Sequence, residues 1–419
     1  MRNRLDLVFI PKILATVLVL SFLATFVFAA ERASVAECRV SNAEQVKNER
    51  TITVPFHSSP AGLAAFSTKI NGQEPFNFVL DTGATFNSVS ENVVQKLHLP
   101  LRILANPFSV ETDGSLPTQI SGESIANELE IGNLKLRNVV LRILPASAMS
   151  RSSFLSKIDG ILGVSFFQDF LVQLDYVNLS ATFSDFDRSL SGCDVAVIPF
   201  TQGPTGMPIV EGEIDGIPAQ LDVDTGSSSS LILYRPFVEK NGLYKLYSRK
   251  IPSSKSSLGG VLYTERARAQ VLKIGQFEIK KPLIELVSEN EKSTDANSAS
   301  GVIGNDILSR FNVTFDFKRQ QVALQKSARF DQVSHYVVLG MYVDLTDGKV
   351  SSVTRNGLAE RSGLRTGDRI VAIDGKPFKK LNSVEVVSKL QQLPDNKVRL
   401  TVRRKDKYLN ILFKFEDAL

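Results

Sequence analysis

Histidine, cysteine and methionine are scarce in this chain, whose 419 residues hold three His, two Cys and four Met, and tryptophan is missing altogether. His57, His98 and His335 lie near no Gly-x-Ser-x-Gly turn or cysteine nucleophile signature, so the general base that a serine or cysteine triad needs has no placed candidate. Cys38 and Cys193 cannot make a zinc-binding spacing, and neither metal nor cofactor is expected. Their own state stays open between free thiols and one disulfide, and Glu37 before Cys38 argues against a lipoprotein site. Charge of one sign is not in excess either: 49 basic against 44 acidic residues leave a net charge of +5, a mildly basic solvated surface rather than a nucleic-acid footprint. An uncharged apolar run does occur, from Ile13 to Ala30, preceded by Arg2 and Arg4 and containing the small-residue cleavage site Val27-Phe28-Ala29. Residues 1–30 therefore read as a signal peptide, with an uncleaved membrane anchor as the alternative, because 13–30 is barely long enough to span a bilayer. The chain is expected to be exported, periplasmic or secreted.

Asp-Thr-Gly occurs twice, as Asp81-Thr82-Gly83 and Asp224-Thr225-Gly226. Each copy closes an apolar strand-like run, Phe76 to Leu80 and Ile217 to Val223, and opens a small-residue turn with Ala84 or Ser227. A single triplet would be weak evidence, since turns between strands use the same residues. The flanks repeat as well. Ile70-Asn71-Gly72 matches Ile214-Asp215-Gly216, Ile131-Gly132 matches Ile274-Gly275, and Gly160-Ile161-Leu162-Gly163 matches Gly301-Val302-Ile303-Gly304. The offsets agree, 224 − 81 = 143 and 301 − 160 = 141, which two homologous lobes with small loop differences explain.

These four matched motifs, spanning roughly residues 51 to 327, resemble the retropepsin-type unit of the aspartic proteases, here in tandem as in a pepsin-like bilobal enzyme. The resemblance implies a mainly β fold, two homologous lobes with the active site between them, and Asp81 and Asp224 as a catalytic dyad. Two carboxylates about 3 Å apart share one proton, so one serves as base and the other as acid on a water held between them. It further implies that Thr82 and Thr225 reach across to the opposite lobe's backbone, with Gly83, Ala84, Gly226 and Ser227 completing the support. A serine hydroxyl can favour a charged carboxylate where alanine cannot, so the halves need not be electrostatically equal. Two features depart from the pattern. Asp222 stands where the first lobe has Val79, and is expected to be solvated or to cap a turn; and no tyrosine lies between the first triplet and Gly160. Glu111 to Ser121 or Ser257 to Tyr263, where Gly259-Gly260 suits a mobile tip, is expected to form either a flap or a plain surface hairpin. Ser227 to Ser230 reads as a flexible turn, and Ser253 to Ser257 and Ser288 to Ser300 as surface loops.

From about His335 onward the chain changes character. Asn356 to Gly375, with Gly363-Leu364, Gly367-Asp368 and Asp374-Gly375 as turn signals around an apolar Ile370 to Ile373, resembles the core of a bacterial-type PDZ domain. The resemblance implies binding of an extended peptide by strand addition, with Leu339, Gly340 and Met341 in the carboxylate-binding loop and Val384 to Leu393 as the groove helix. The expected organisation is residues 1–30 as signal or anchor, 31–50 as an N-terminal arm, 51–190 and 191–327 as the two lobes, and 335–419 as the PDZ domain. Ser184 to Asp194 is expected to link the lobes and Ala328 to Ser334 to join the PDZ unit. The expected activity is an aspartic endopeptidase acting on exported or envelope proteins, with a protein or peptide substrate, a C-terminal peptide as PDZ ligand, no nucleic acid, and membrane association through residues 13–30. Two alternatives are an inactive adaptor working through its PDZ domain and a homodimer in which each lobe pairs with its twin.

Overall fold

The computed structural model describes residues 51–419 except 60–61, 111–117, 150–157, 187–189, 191–193, 289–298 and 391. The 13–30 run, Cys38, Cys193 and most of the 288–300 stretch lie outside the described residues, as do residues 111–117 of the first candidate flap. Among the described residues no helix is long and apolar enough to cross a membrane.

Both lobes are built from strands whose turns the sequence specifies. Asn71-Gly72 (φ 52° and 73°) and Asp215-Gly216 (φ 49° and 86°) occupy left-handed backbone at matched hairpin tips, the conformation that two-residue turns joining twisted strands require. They connect Ala64–Ile70 to Gln73–Leu80 in the first lobe and Pro208–Ile214 to Ile217–Val223 in the second. The first lobe is an eight-stranded sheet that curls back on itself, because Ala64–Ile70 pairs with both Gln73–Leu80 and Thr118–Ile131. The second lobe carries the corresponding larger sheet. In each, the strand leading to the Asp-Thr-Gly triplet runs parallel to the short Gly-bounded strand downstream, Gly160–Leu162 or Gly301–Ile303.

A third, six-stranded sheet joins the lobes. Leu171–Asp175 of the first lobe pairs antiparallel with Phe311–Asp316 of the second, with Val172 opposite Phe315. Aromatic side chains pack behind it: Phe167 meets Phe315 at 5.5 Å and Phe317 at 5.6 Å. One apolar core therefore runs through both lobes, and separating them would expose backbone hydrogen bonds and hydrocarbon together.

Two loop expectations need correction. Ser253 to Ser257 belongs to a strand, Ile251–Ser257, paired residue for residue with Gly260–Arg268. Cross-strand pairing outweighs the weak strand preference of its serines. Ser229 and Ser230 are buried rather than mobile, and Ser230 accepts the Gly304 N–H at 3.0 Å. The Ala328–Ser334 joint is anchored: Phe330 packs on Phe311 at 5.4 Å, and the Ser334 hydroxyl bonds Arg310 at 2.7 Å and Asp306 at 2.6 Å.

The C-terminal unit has its own core around Val350, Leu364, Ile370, Val398, Leu400 and Phe413. Its main sheet places Arg369–Ile373 between Lys376–Pro377 and Lys397–Arg404, with Lys407–Lys414 at the edge, and a short pair is formed by Met341–Val343 and Val350–Val353. The groove helix is Ser383–Leu390. Gly340 (φ 69°) turns the chain into the Met341–Val343 strand, while the Leu339 and Gly340 carbonyls accept the Ala359 and Thr354 N–H groups at 2.8 Å each.

Candidate active site

Each triplet leaves its strand at the centre of the molecule, and backbone bonds fix where it goes. The Asp81 N–H donates to Leu162 O and the Asp224 N–H to Ile303 O, both at 3.0 Å. Within each loop the glycine N–H caps the neighbouring carboxylate, Gly83 to Asp81 Oδ1 at 2.8 Å and Gly226 to Asp224 Oδ1 at 2.7 Å. Gly163 and Gly304 brace the loops from behind: a Cβ on either would fall 2.4 Å from Ala84 O or 2.5 Å from Ser229 O, so no larger residue fits.

The two loops interlock through their threonines, both fully buried. Thr82 N–H donates to Thr225 Oγ1 at 3.0 Å, and Thr225 N–H donates to Thr82 Oγ1 at 3.0 Å. Each hydroxyl then donates onward, Thr82 to Val223 O at 2.7 Å and Thr225 to Leu80 O at 3.0 Å. Every donor and acceptor in the crossing is satisfied, which makes the arrangement rigid. Its tightness is such that a Cβ on Gly83 would lie 2.8 Å from Asp224 Oδ1 and one on Gly226 would lie 2.3 Å from Asp81 Cγ.

Asp81 and Asp224 are thereby in hydrogen-bond contact through their side chains. The Asp81 residue keeps a little solvent access at the cleft, yet protein atoms surround its carboxyl, and this desolvation raises its pKa above the usual aspartate value. The hydrogen bond with Asp224 and the Gly83 and Ala84 N–H groups pull the other way. Carboxyls in such contact titrate as a pair rather than singly.

Asp222 corrects the expectation of a solvated or turn-capping carboxylate. It is fully buried, on the strand beside Val302, with the Tyr234 hydroxyl at 3.5 Å. The strand alternation that faces Leu221 and Val223 to the common core sends Asp222 to the opposite side, where the lobe's hairpin covers it. Ser227 donates its N–H to Asp224 O at 3.3 Å, and its hydroxyl accepts the Ser229 N–H at 3.4 Å.

Two residues of the site escaped the sequence reading. The Tyr176 hydroxyl, carried on the first lobe's end of the interlobe sheet, donates to Asn305 Oδ1 at 2.7 Å, and Asn305 Nδ2 donates to Thr225 O at 2.8 Å. Burial, with the Asp224 charge adding to it, pushes the Tyr176 phenol far above its ordinary pKa, so it stays protonated and donating. The signal was present: Asn305 is a polar residue directly after Gly304, where the first lobe has Val164 after Gly163.

Above the cleft, the hairpin of Ile251–Ser257 and Gly260–Arg268 carries its tip across to the first lobe. Leu258 packs against the apolar group around Ile120 that includes Ala84 and Phe108, and the Thr118 hydroxyl bonds Leu258 O at 3.4 Å. Among the described residues no three His, Cys, Asp or Glu side chains gather as a metal site.

Two stretches of the chain match known family models. Residues 66–169 match the family model described as "gag-polyprotein putative aspartyl protease", and residues 349–404 match the PDZ domain model. The sequence matches no curated protein significantly. Among solved structures, soybean basic 7S globulin superposes with a TM-score of 0.41 at 11% identity, over 66% of this chain and 97% of that one. With mainly β, barrel-containing lobes and a PDZ unit following them, the chain carries an aspartyl-protease-like domain joined to a C-terminal PDZ domain.

Proposed function

We propose that this chain is an aspartic endopeptidase in which Asp81 and Asp224 activate one water molecule against a peptide carbonyl. The observation that carries the reading is the reciprocal threonine crossing, which holds the two carboxyls in contact with one another. In the proposed cycle the ionised member of the pair takes a proton from the water while the protonated member polarises the carbonyl oxygen. The raised pKa of Asp81 supports a shared proton, and no covalent intermediate or metal enters the scheme.

Residues 1–30 would export the chain, as a cleaved signal or an anchor, to meet its substrates among exported or envelope proteins. The PDZ domain, with Leu339, Gly340 and Met341 at its peptide-binding loop, would recruit or position those substrates through their C-terminal segments. An adaptor that has lost activity is less well supported, because both triplets are intact and their carboxyls are in contact.

The test is cleavage of an unstructured protein such as casein across acid to neutral pH by the purified chain, beside Asp81→Asn and Asp224→Asn. Loss of roughly a thousandfold in each single variant is expected of one shared dyad. Residual activity in either variant would break the single-site reading, and silence of the parent chain at every pH would favour the adaptor.

A further inference from the structure

The outer face of the PDZ sheet is more cationic than its stability warrants. Lys397–Arg404 and Lys407–Lys414 bury Val398, Leu400, Val402, Ile411 and Phe413 on one side. The other side presents Lys397, Arg399 and Arg403, with Lys414, Leu412 and Tyr408 directly opposite them in the register. Lys397 faces Lys414, and Arg403 is also matched with Arg369 on its other neighbour, so like charges stand across from each other twice on one small sheet. Such pairs destabilise a sheet. Among the described residues acidic partners stand at the rim: Asp395 lies 3.4 Å from Lys414, Asp347 holds Arg369 at 2.6 Å, and Asp374 takes the Arg399 backbone N–H and is also near enough to feel its charge. Tyr408 and Leu412 are 67% and 52% exposed among these cations.

We propose that this face, centred on Arg399 and Arg403 with Tyr408 and Leu412 between them and their neighbours, docks the protein on an anionic phospholipid surface. A flat face that mixes lysine and arginine with an aromatic and an aliphatic side chain suits the headgroup zone, where the cations meet phosphate and the apolar groups enter the acyl boundary. An acidic polypeptide would answer the charge, whereas an anionic lipid surface answers the charge and also takes up the exposed tyrosine and leucine at its headgroup boundary. Met341 and Val343 of the short strand and Val386 and Leu390 of the helix pack into the core on the buried side of this sheet, opposite the cationic face, so docking leaves the peptide groove accessible.

The absence of tryptophan supplies the test. Tyr408→Trp in the full chain places the sole indole on this face, so its emission reports contact there whatever residues 13–30 do in the bilayer. Vesicles of phosphatidylcholine with phosphatidylglycerol should shift the emission to the blue, salt should reverse the shift, and pure phosphatidylcholine should leave it unchanged. Adding Arg399→Glu and Arg403→Glu should raise the lipid concentration needed by about tenfold or more. Arg399→Gln with Arg403→Gln should give a smaller increase, and circular dichroism checks that each variant is folded. No shift with anionic vesicles, an equal shift with neutral ones, or a response to polyglutamate without one to vesicles would overturn the proposal.

Discussion

Backbone bonds brace both triplet loops alike, but behind the Asp81 loop the residue after Gly163 is hydrocarbon, Val164, and behind the Asp224 loop the residue after Gly304 is an amide, Asn305. The offset that aligns Gly163 with Gly304 (304 − 163 = 141) also aligns Val164 with Asn305 and Tyr176 with Phe317 (317 − 176 = 141). Phe317 of the second lobe packs on Phe167 of the first, in the core that includes Val164. Tyr176 of the first lobe instead reaches Asn305 and, through it, the Thr225 carbonyl. Apolar packing fixes where a loop lies, whereas a chain of directional bonds also fixes how its carbonyl is turned. The lobes thus share a backbone plan and differ in how strictly the second triplet is oriented.

The most damaging way to break this comparison is at the feature the lobes share. Thr82→Val removes a donor and an acceptor from the crossing and strands the buried Thr225 N–H and Val223 carbonyl. A loss of about 2–4 kcal/mol in denaturant unfolding is expected, with cleavage falling as the dyad geometry loosens. Next comes converting the second lobe to the first. Asn305→Val leaves the Tyr176 hydroxyl without its acceptor and should cost about 1–3 kcal/mol. Adding Tyr176→Phe recreates the apolar pair of the first lobe and should recover part of that loss, as a double-mutant cycle on unfolding midpoints would register.

A smaller effect follows from the raised pKa of Asp81. Between the unfolded value, near 3.8, and the raised folded value, the native state holds a proton that the unfolded chain has released. Stability from this group is therefore full below the unfolded pKa and declines as pH rises through the folded one. Asp81→Asn, which cannot ionise, should flatten that decline, read from melting curves at several pH values. Cleavage should fade over the same rise in pH as the shared proton is lost. Least affected should be the surface pairs found in both lobes, Lys69 with Glu130 at 3.0 Å and Lys273 with Glu213 at 3.1 Å. Alanine at either lysine should leave the unfolding midpoint unchanged within error.

The fold was legible wherever chemistry is local. Asn71-Gly72 and Asp215-Gly216 declared hairpins, the repeated glycine motifs declared two lobes, and Gly363, Gly367 and Gly375, all at positive φ, marked the turns of the PDZ unit. Asp81 and Asp224 could be singled out because repetition raised two weak triplets into one strong signal. Asp222 was misjudged because alternation along a strand names a face without naming what covers it, and the cover comes from a hairpin about forty residues downstream. The Tyr176 to Asn305 bond joins residues 129 apart in sequence, and nothing local to either announces the other. The serines of 253–257 looked like a loop for the same reason, since their partner strand and not their own preference makes them a strand.

Gly83 and Gly226 have a meaning beyond the room they give their own turns. Each lobe's glycine is the floor under the other lobe's aspartate, with less than a methyl group of clearance. The two loops act as casts of one another, so a change of shape in either must be answered across the interface. Lobes that arose as copies can diverge freely in their outer hairpins and loops, but at this seam they are held to a common form, and a single added carbon on either side would act as a wedge between them.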